Sequence, residues 1–195
     1  MSILQSITLL PQPRLNLRAV IEVASVHNVA PVQRRDLPSM RDLAERLMDH
    51  KVASLATYRA VQSVQPCSLL VYKEEGRVTG VIGMLFLRAA AVEQLVAGEF
   101  DALDPALELL TAEDEAPVAA YAWGVAAETK DAGKAILGGG AAVRQKLFPT
   151  ITAFTRAVTG AGRHVAVTRY GYRSLRFDGD DLMVREPAQA AEVAA

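Results

Sequence analysis

The apolar and polar positions along this 195-residue chain change period several times, and each change marks an element. The first clear signal is "VAPVQRRDLPSMRDLAERLMDH". Val29 to Gln33 reads as a short strand and Asp36 as a helix N-cap; Pro38 falls in the first turn, where its missing N–H costs nothing. Leu37, Met40, Leu43, Leu47 and Met48 then recur at helical spacing. "VASLATYRAVQ" predicts a second helix. "CSLLVYKEEGRVTGVIGMLFLR" reads as strand, tight turn at "KEEGR", strand. Val78 to Leu87 is nearly all apolar, which predicts a central strand covered on both faces.

The second half continues the alternation. "AAVEQLVAGEFDALDPALELLTAEDE" predicts one or two short helices, with Leu95, Phe100, Leu103, Leu107 and Leu110 on the apolar side. "APVAAYAWGVAAE" is a strand from about Val118. "KDAGKAILGGGAAVRQKL" carries an amphipathic helix, "TITAFTRAVT" a strand, and "GAGRHVAVTRYG" a short helix or turn. "YRSLRFDGDDLMVRE" closes as a hairpin turning at "DGDD". This order predicts an α/β (α+β) fold: a mixed, mostly antiparallel central sheet flanked by helices. Residues 1–28 precede the first clear signal and read as an N-terminal arm. Residues 29–186 form the domain, and 187–195 a disordered tail.

Composition narrows the function classes. Hydrophobic residues make up 51% and charged residues 22%, with a net charge of −1, so nothing favours nucleic acid as a partner. Cys67 is the one cysteine; it opens an apolar strand and reads as a buried core residue. His27, His50 and His164 have no metal-ligand spacing, so no metal is expected. No apolar run reaches membrane-spanning length, prolines at 11 and 13 break the start, and a cytoplasmic protein is the default expectation.

The stretch from Lys130 raises its own question. It has four glycines within eight residues of a helix, where each costs roughly 1 kcal/mol relative to alanine. Either the backbone approaches a ligand here, or the helix packs closely on a neighbour. A strand running into a glycine-bearing helix start is also a ready anion site, and Lys130 and Lys134 add positive charge. A helix start only after Gly140 would leave about eight residues before Pro149. The earlier start is the better reading, with Gly138 to Ala142 as a small-residue face.

In this order of elements the chain resembles the GNAT superfamily of acyl-CoA N-acyltransferases. "VQRRDLPSMRDLAERLM" looks like the superfamily's first strand and helix. "KDAGKA" is similar to its pyrophosphate loop, with Lys130 in the place of the usual Gln or Arg, Gly133 as the glycine and Ala135 last. "TRAVTGAGRHVAVTRYGYRSL" resembles its fifth strand and following helix, with Gly171-Tyr172 in the place of its Gly-Phe. The match covers residues 29–186, and makes 88–115 an insertion. The resemblance implies acetyl-CoA or another acyl-CoA as co-substrate and a primary amine of a small molecule or protein as acceptor. It implies no membrane partner and leaves a homodimer open. Cofactor contacts would fall on Val125, Ala127, Lys130, Gly133, Lys134, Ala135 and Ile136. It also implies that the strand from Val118 diverges from the strand near Ile151, opening a slot for the pantetheine arm; Gly124 suits the bulge that would splay it.

Acyl transfer needs a deprotonated amine, a donor to the thioester oxygen and an acid for the departing thiolate. The resemblance places the donor around Trp123 to Ala127. The family's tyrosine acid would fall at Val167 or Thr168, which cannot serve. Tyr170 is the nearest replacement and Tyr172 a weaker one, being in a core-packing place. Glu128 and Tyr121 are the base candidates beside the strand, each with a plain alternative: Glu128 as a cap or surface acid, Tyr121 as a half-buried core residue. A GNAT-like fold without catalysis, used as a binding or structural module, is the rival class.

Overall fold

A computed structural model describes residues 13–48, 51–175 and 181–187. Its seven-stranded sheet has the order β1-β2-β3-β4-β5-β7-β6. The strands are β1 (Val29–Pro31), β2 (Leu69–Glu74), β3 (Arg77–Leu87), β4 (Ala119–Ala127), β5 (Thr152–Arg156), β6 (Arg173–Ser174) and β7 (Leu182–Arg185). All neighbours are antiparallel except β4 and β5, which are parallel. The helices are α1 (Leu17–Ser25), α2 (Leu37–Leu47), α3 (Leu55–Val64), α4 (Ala89–Ala97), α5 (Lys130–Leu147) and α6 (Gly160–Tyr170).

Strand β3 is the middle of the molecule. After Arg77 its ten residues are all buried, because helices cover both faces. Ile82, Met84 and Phe86 pack with Val20, Ile136 and Val143 under α1 and α5. Val81 packs with Leu37, Met40 and Leu43 of α2. Leu85 and Leu87 pack with Val61, Leu95 and Phe154 under α3 and α4. The β2–β3 turn puts Glu75 at φ 51° and Gly76 at φ 79°, a two-residue turn whose twist matches the strands it joins. Helix α3 is capped by Ser54, whose hydroxyl accepts the Thr57 N–H at 3.0 Å. Helix α6 ends at Gly171, in the left-handed region at φ 66°.

One expectation is corrected here, and two residue roles become specific. Residues 13–28 are not an arm: Leu15, Val20 and Ala24 are buried, and α1 packs on α5. Asp36 takes the N-cap place of α2 as expected, at the end of a short 3-10 turn, but its carboxylate receives the Lys73 ammonium at 2.6 Å instead of a helix N–H. The segment 88–115 is a structural part of the sheet's cover. The Gln65 amide donates to the carbonyls of both Phe86 and Thr111, and the Phe86 N–H donates back to Gln65. Gln65 thus does for the end of β3 what a neighbouring strand would do. The expected tail and the expected turn at "DGDD" lie wholly or mostly outside the described residues.

The glycines of α5 now separate by role. A Cβ on Gly138 would lie 2.8 Å from His27 Nδ1, one on Gly139 3.3 Å from Val29, and one on Gly140 2.6 Å from Ile82 Cδ1. These three let α5 settle onto the turn after α1, onto β1 and onto β3. A Cβ on Gly133 would meet only Ala127, at an ordinary 3.7 Å.

Candidate functional site

The sheet comes apart between its two parallel strands. β4 pairs with β5 from Ala119↔Thr152 to Ala122↔Thr155 and no further. The Thr155 hydroxyl donates to the Ala122 carbonyl at the point of separation. Beyond it β5 follows β7, pairing Arg156 with Leu182, while β4 follows β3 to the end, pairing Ala127 with Gly80. A bulge marks the split. The β3–β4 register shifts between Gly83 and Met84, so that Trp123 is the extra residue on β4, next to Gly124.

The bulge decides what β4 offers to the gap. The Glu128 N–H donates to the Thr79 carbonyl, which fixes Glu128 and Thr79 as a directly bonded pair. In an antiparallel ladder bonded and unbonded pairs alternate, so Gly124 and Ala126 point their N–H and C=O at β3. Those of Val125 and Ala127 point away from β3, into the space that β5 has left. A cleft of about 680 Å³ runs through this space. On the α5 side its walls include Val125, Leu137, Ala161, Gly162 and Val165; on the α2 side they include Met48, Tyr58, Tyr121 and Trp123. The Trp123 indole donates to the Ala102 carbonyl, and its ring lies 5.0 Å from that of Tyr58. The 88–115 segment is therefore tied to the cleft wall.

The sequence-derived cofactor residues scatter along this geometry. Val125 lines the cleft, and Ala127 lies beside Gly133. Gly133 is one turn before Leu137, on the side of α5 that meets the cleft. Lys130 and Lys134 are exposed, and Lys134 pairs with Asp131 at 3.3 Å. Ala135 and Ile136 are a correction: Ile136 is fully buried against Gly80, and Ala135 packs against the same core. The reason is where the helix starts. Thr129 caps α5 at once, taking the Ala132 N–H on its hydroxyl and the Gly133 N–H on its carbonyl. Only the N–H groups of Lys130 and Asp131 are left without an acceptor inside the helix. The broader row of donors expected from Asp131 to Ile136 is consumed by the helix itself.

The catalytic candidates also separate. Glu128 is held by two guanidiniums, Arg46 and Arg77, the latter at 2.6 Å. Tyr121 is buried, stacks edge-on with Phe100 at 5.8 Å, and lines the cleft. Burial pushes its phenol pKa up, partly opposed by the Arg156 charge. Tyr170 ends α6 and is not part of the cleft wall, about 12 Å along the helix from Gly162. Burial raises its pKa too, against Arg169. Tyr172 packs with Ala157, Ala166 and Met183. Cys67 is fully buried, with its thiol pushed up to about 12 mainly by desolvation. Among the described residues no set of His, Cys, Asp or Glu is placed to hold a metal ion, and no helix is long and apolar enough to cross a membrane.

Two cleft residues were missed by the sequence reading. The resemblance names Trp123 only as one end of the donor range, and its indole forms a wall of the cleft. Arg156 was passed over; its alternation with Thr152 and Phe154 places it on the same face as the buried Phe154.

No family model and no curated protein matches the chain in sequence. Solved structures do match in shape. Ard1 from Thermoplasma volcanium superposes with a TM-score of 0.52 at 14% identity, over 83% of this chain and 97% of that one. The ribosomal-protein-S18-alanine N-acetyltransferase from Escherichia coli gives 0.50 at 12% identity, over 83% and 94%. The GphF GNAT-like decarboxylase in complex with isobutyryl-CoA gives 0.46 at 19% identity, and the chain spans 64% of its length. The split between β4 and β5, the bulge beside it and the superpositions on Ard1 and on the S18-alanine acetyltransferase agree: the chain has a GNAT-like α/β fold, in a divergent form.

Proposed function

We propose that this chain is an acyl-CoA-dependent N-acyltransferase, carrying an acetyl or longer acyl group from acyl-CoA to a primary amine of a small molecule or protein. The observation that carries the reading is the gap after Ala122 and Thr155. A pantetheine arm is a narrow chain with two amides, and it needs a slot with backbone donors and acceptors on one wall. The outward-turned N–H and C=O groups of Val125 and Ala127 supply that wall. The small residues Ala161 and Gly162 leave room opposite. Lys130, Gly133 and Lys134 at the start of α5 are the groups for the pyrophosphate. Ala135 and Ile136 are not needed.

In the reaction the amine nitrogen attacks the thioester carbon, the C–S bond breaks, and the thiolate leaves with a proton. Tyr121 is in the cleft, and its raised pKa keeps it protonated. That suits proton donation and disfavours its use as a base. Glu128 acts as a base only by giving up Arg46 and Arg77.

A second reading, a GNAT-fold binding module without turnover, has an observation of its own: Glu128 is neutralised and Tyr170 is off the cleft. Calorimetry with acetyl-CoA and longer acyl-CoAs, followed by a free-thiol release assay, decides between them. Binding at 100 times the dissociation constant adds about 2.7 kcal/mol of stability, an easily read thermal shift. No binding to any acyl-CoA sinks the enzymatic reading. Binding without thiol release against a broad amine panel leaves the module.

A further inference from the structure

The part of the cleft on the α2 side has an uneven charge pattern. Its walls are Met40, Met48, Tyr58, Leu103, Tyr121 and Trp123, and the charged side chains on the whole cleft wall are Lys51 and Arg156 alone among the described residues. No carboxylate lines it among the described residues. Glu128, the nearest acid along β4, is turned to Arg46 and Arg77; Asp104, on the 88–115 segment, accepts the Thr57 hydroxyl at 3.0 Å. Arg156 has no ion-pair partner among the described residues and stands at the mouth of the split, close enough to act on the Tyr121 phenol.

This pattern selects against most cationic acceptors. A polyamine or a lysine side chain would bring its ammonium toward Arg156 and Lys51 with no anion among the described wall residues to receive it, and like charges brought together cost free energy. An amine that carries its own carboxylate reverses the sign, because a planar guanidinium binds a carboxylate through two parallel hydrogen bonds. The remaining walls are aromatic rings and thioethers, which suit a large apolar or aromatic side chain.

Resting on the acyltransferase reading, we propose that the acceptor is a free α-amino acid with a large apolar side chain, its carboxylate held by Arg156 and its side chain lodged against Tyr58, Trp123 and Met48. Arg156 is then a specificity-determining residue for the acceptor.

Two measurements test this separately from acyl-CoA use. In the first, thermal shifts of the full chain are read with phenylalanine, leucine, phenylalaninamide, phenethylamine and spermidine, without any acyl-CoA. Phenylalanine should stabilise the protein, and the two analogues lacking the carboxylate should bind about tenfold more weakly or worse. In the second, thiol release from acetyl-CoA is followed with the same acceptors. The kcat/KM for phenylalanine should exceed that for phenylalaninamide by about tenfold, and Arg156→Gln should erase the difference while calorimetry with acetyl-CoA is unchanged. Arg156→Lys should keep part of the preference, which a merely misfolded variant would not. Equal or better use of the amide or of spermidine overturns the proposal. So does a preference for a dicarboxylic acyl-CoA that disappears in Arg156→Gln, since the carboxylate would then belong to the acyl group. Amino-acid binding without acyl-CoA binding would instead uphold the pocket and sink the transferase reading.

Discussion

Along its β3 side, β4 is paired from Ala119 to Ala127; along its β5 side, pairing stops at Ala122. The two sides of one strand teach different things. On the closed side every interruption is filled by another part of the protein. The bulge at Trp123 is covered by Tyr58 and tied to Ala102. Gly140 of α5 receives Ile82, and Gln65 serves the end of β3. On the open side the backbone of Val125 and Ala127 faces a cleft. Substitutions on the closed side should therefore cost stability, and those on the open side should change binding or rate at nearly constant stability.

The largest effect is expected from Gln65→Leu. It removes the acceptor of the Phe86 N–H and the donor to the Thr111 carbonyl, while the Phe86 carbonyl keeps the Thr111 N–H, so unfolding stability should fall by about 3 kcal/mol in urea titration. A loss near zero would mean that the end of β3 is satisfied without Gln65. Next is Gly140→Val. The existing gap to Ile82 Cδ1 is only 2.6 Å from an added Cβ, so a branched side chain should cost about 2 kcal/mol by overpacking. A neutral result would show that α5 can slide off β3, and would weaken the contrast between the two sides.

On the open side, Gly133→Val should leave stability within about 1 kcal/mol, since the added Cβ meets only Ala127 at 3.7 Å. Its acyl-CoA affinity should fall about tenfold, or ~1.4 kcal/mol, by calorimetry. Unaltered affinity would move the phosphate contacts away from the start of α5. The smallest effect should come from Tyr170→Phe. Because Tyr170 is not on the cleft wall, turnover should change by no more than about twofold. A tenfold loss in kcat with unchanged acyl-CoA affinity would restore Tyr170 as the acid and require α6 to shift when substrate binds.

The sequence was legible wherever a periodicity had one interpretation. The nearly all-apolar run after Arg77 specified a central strand, and Leu37, Met40 and Leu43 specified the buried face of α2. "KEEGR" specified its turn, because Gly76 tolerates the positive φ needed there. Gly124 pointed to the bulge within one residue of Trp123. The site was less legible. Lys130 to Ile136 matched a loop pattern, yet Thr129 caps the helix so early that the loop's donors are spent within it. A motif records residue spacing, whereas the number of unpaired N–H groups depends on which turn the helix begins.

By itself the sequence determined the order of the elements from β1 to β5, the central place of β3, the burial of Cys67 and the small-residue face of α5. These follow from local periodicity and from side-chain size, which are properties of the chain alone. The tertiary structure decided the rest. Gly138, Gly139 and Gly140 became packing residues because His27, Val29 and Ile82 stand over them. Glu128 became an ion-pair residue because α2 and β3 bring Arg46 and Arg77 to it, from 82 positions before and 51 positions before in the chain. Arg156 became a cleft residue because β5 leaves β4 one residue earlier and follows β7 instead. Each of these roles depends on contacts between residues distant in sequence, and no local pattern carries that information.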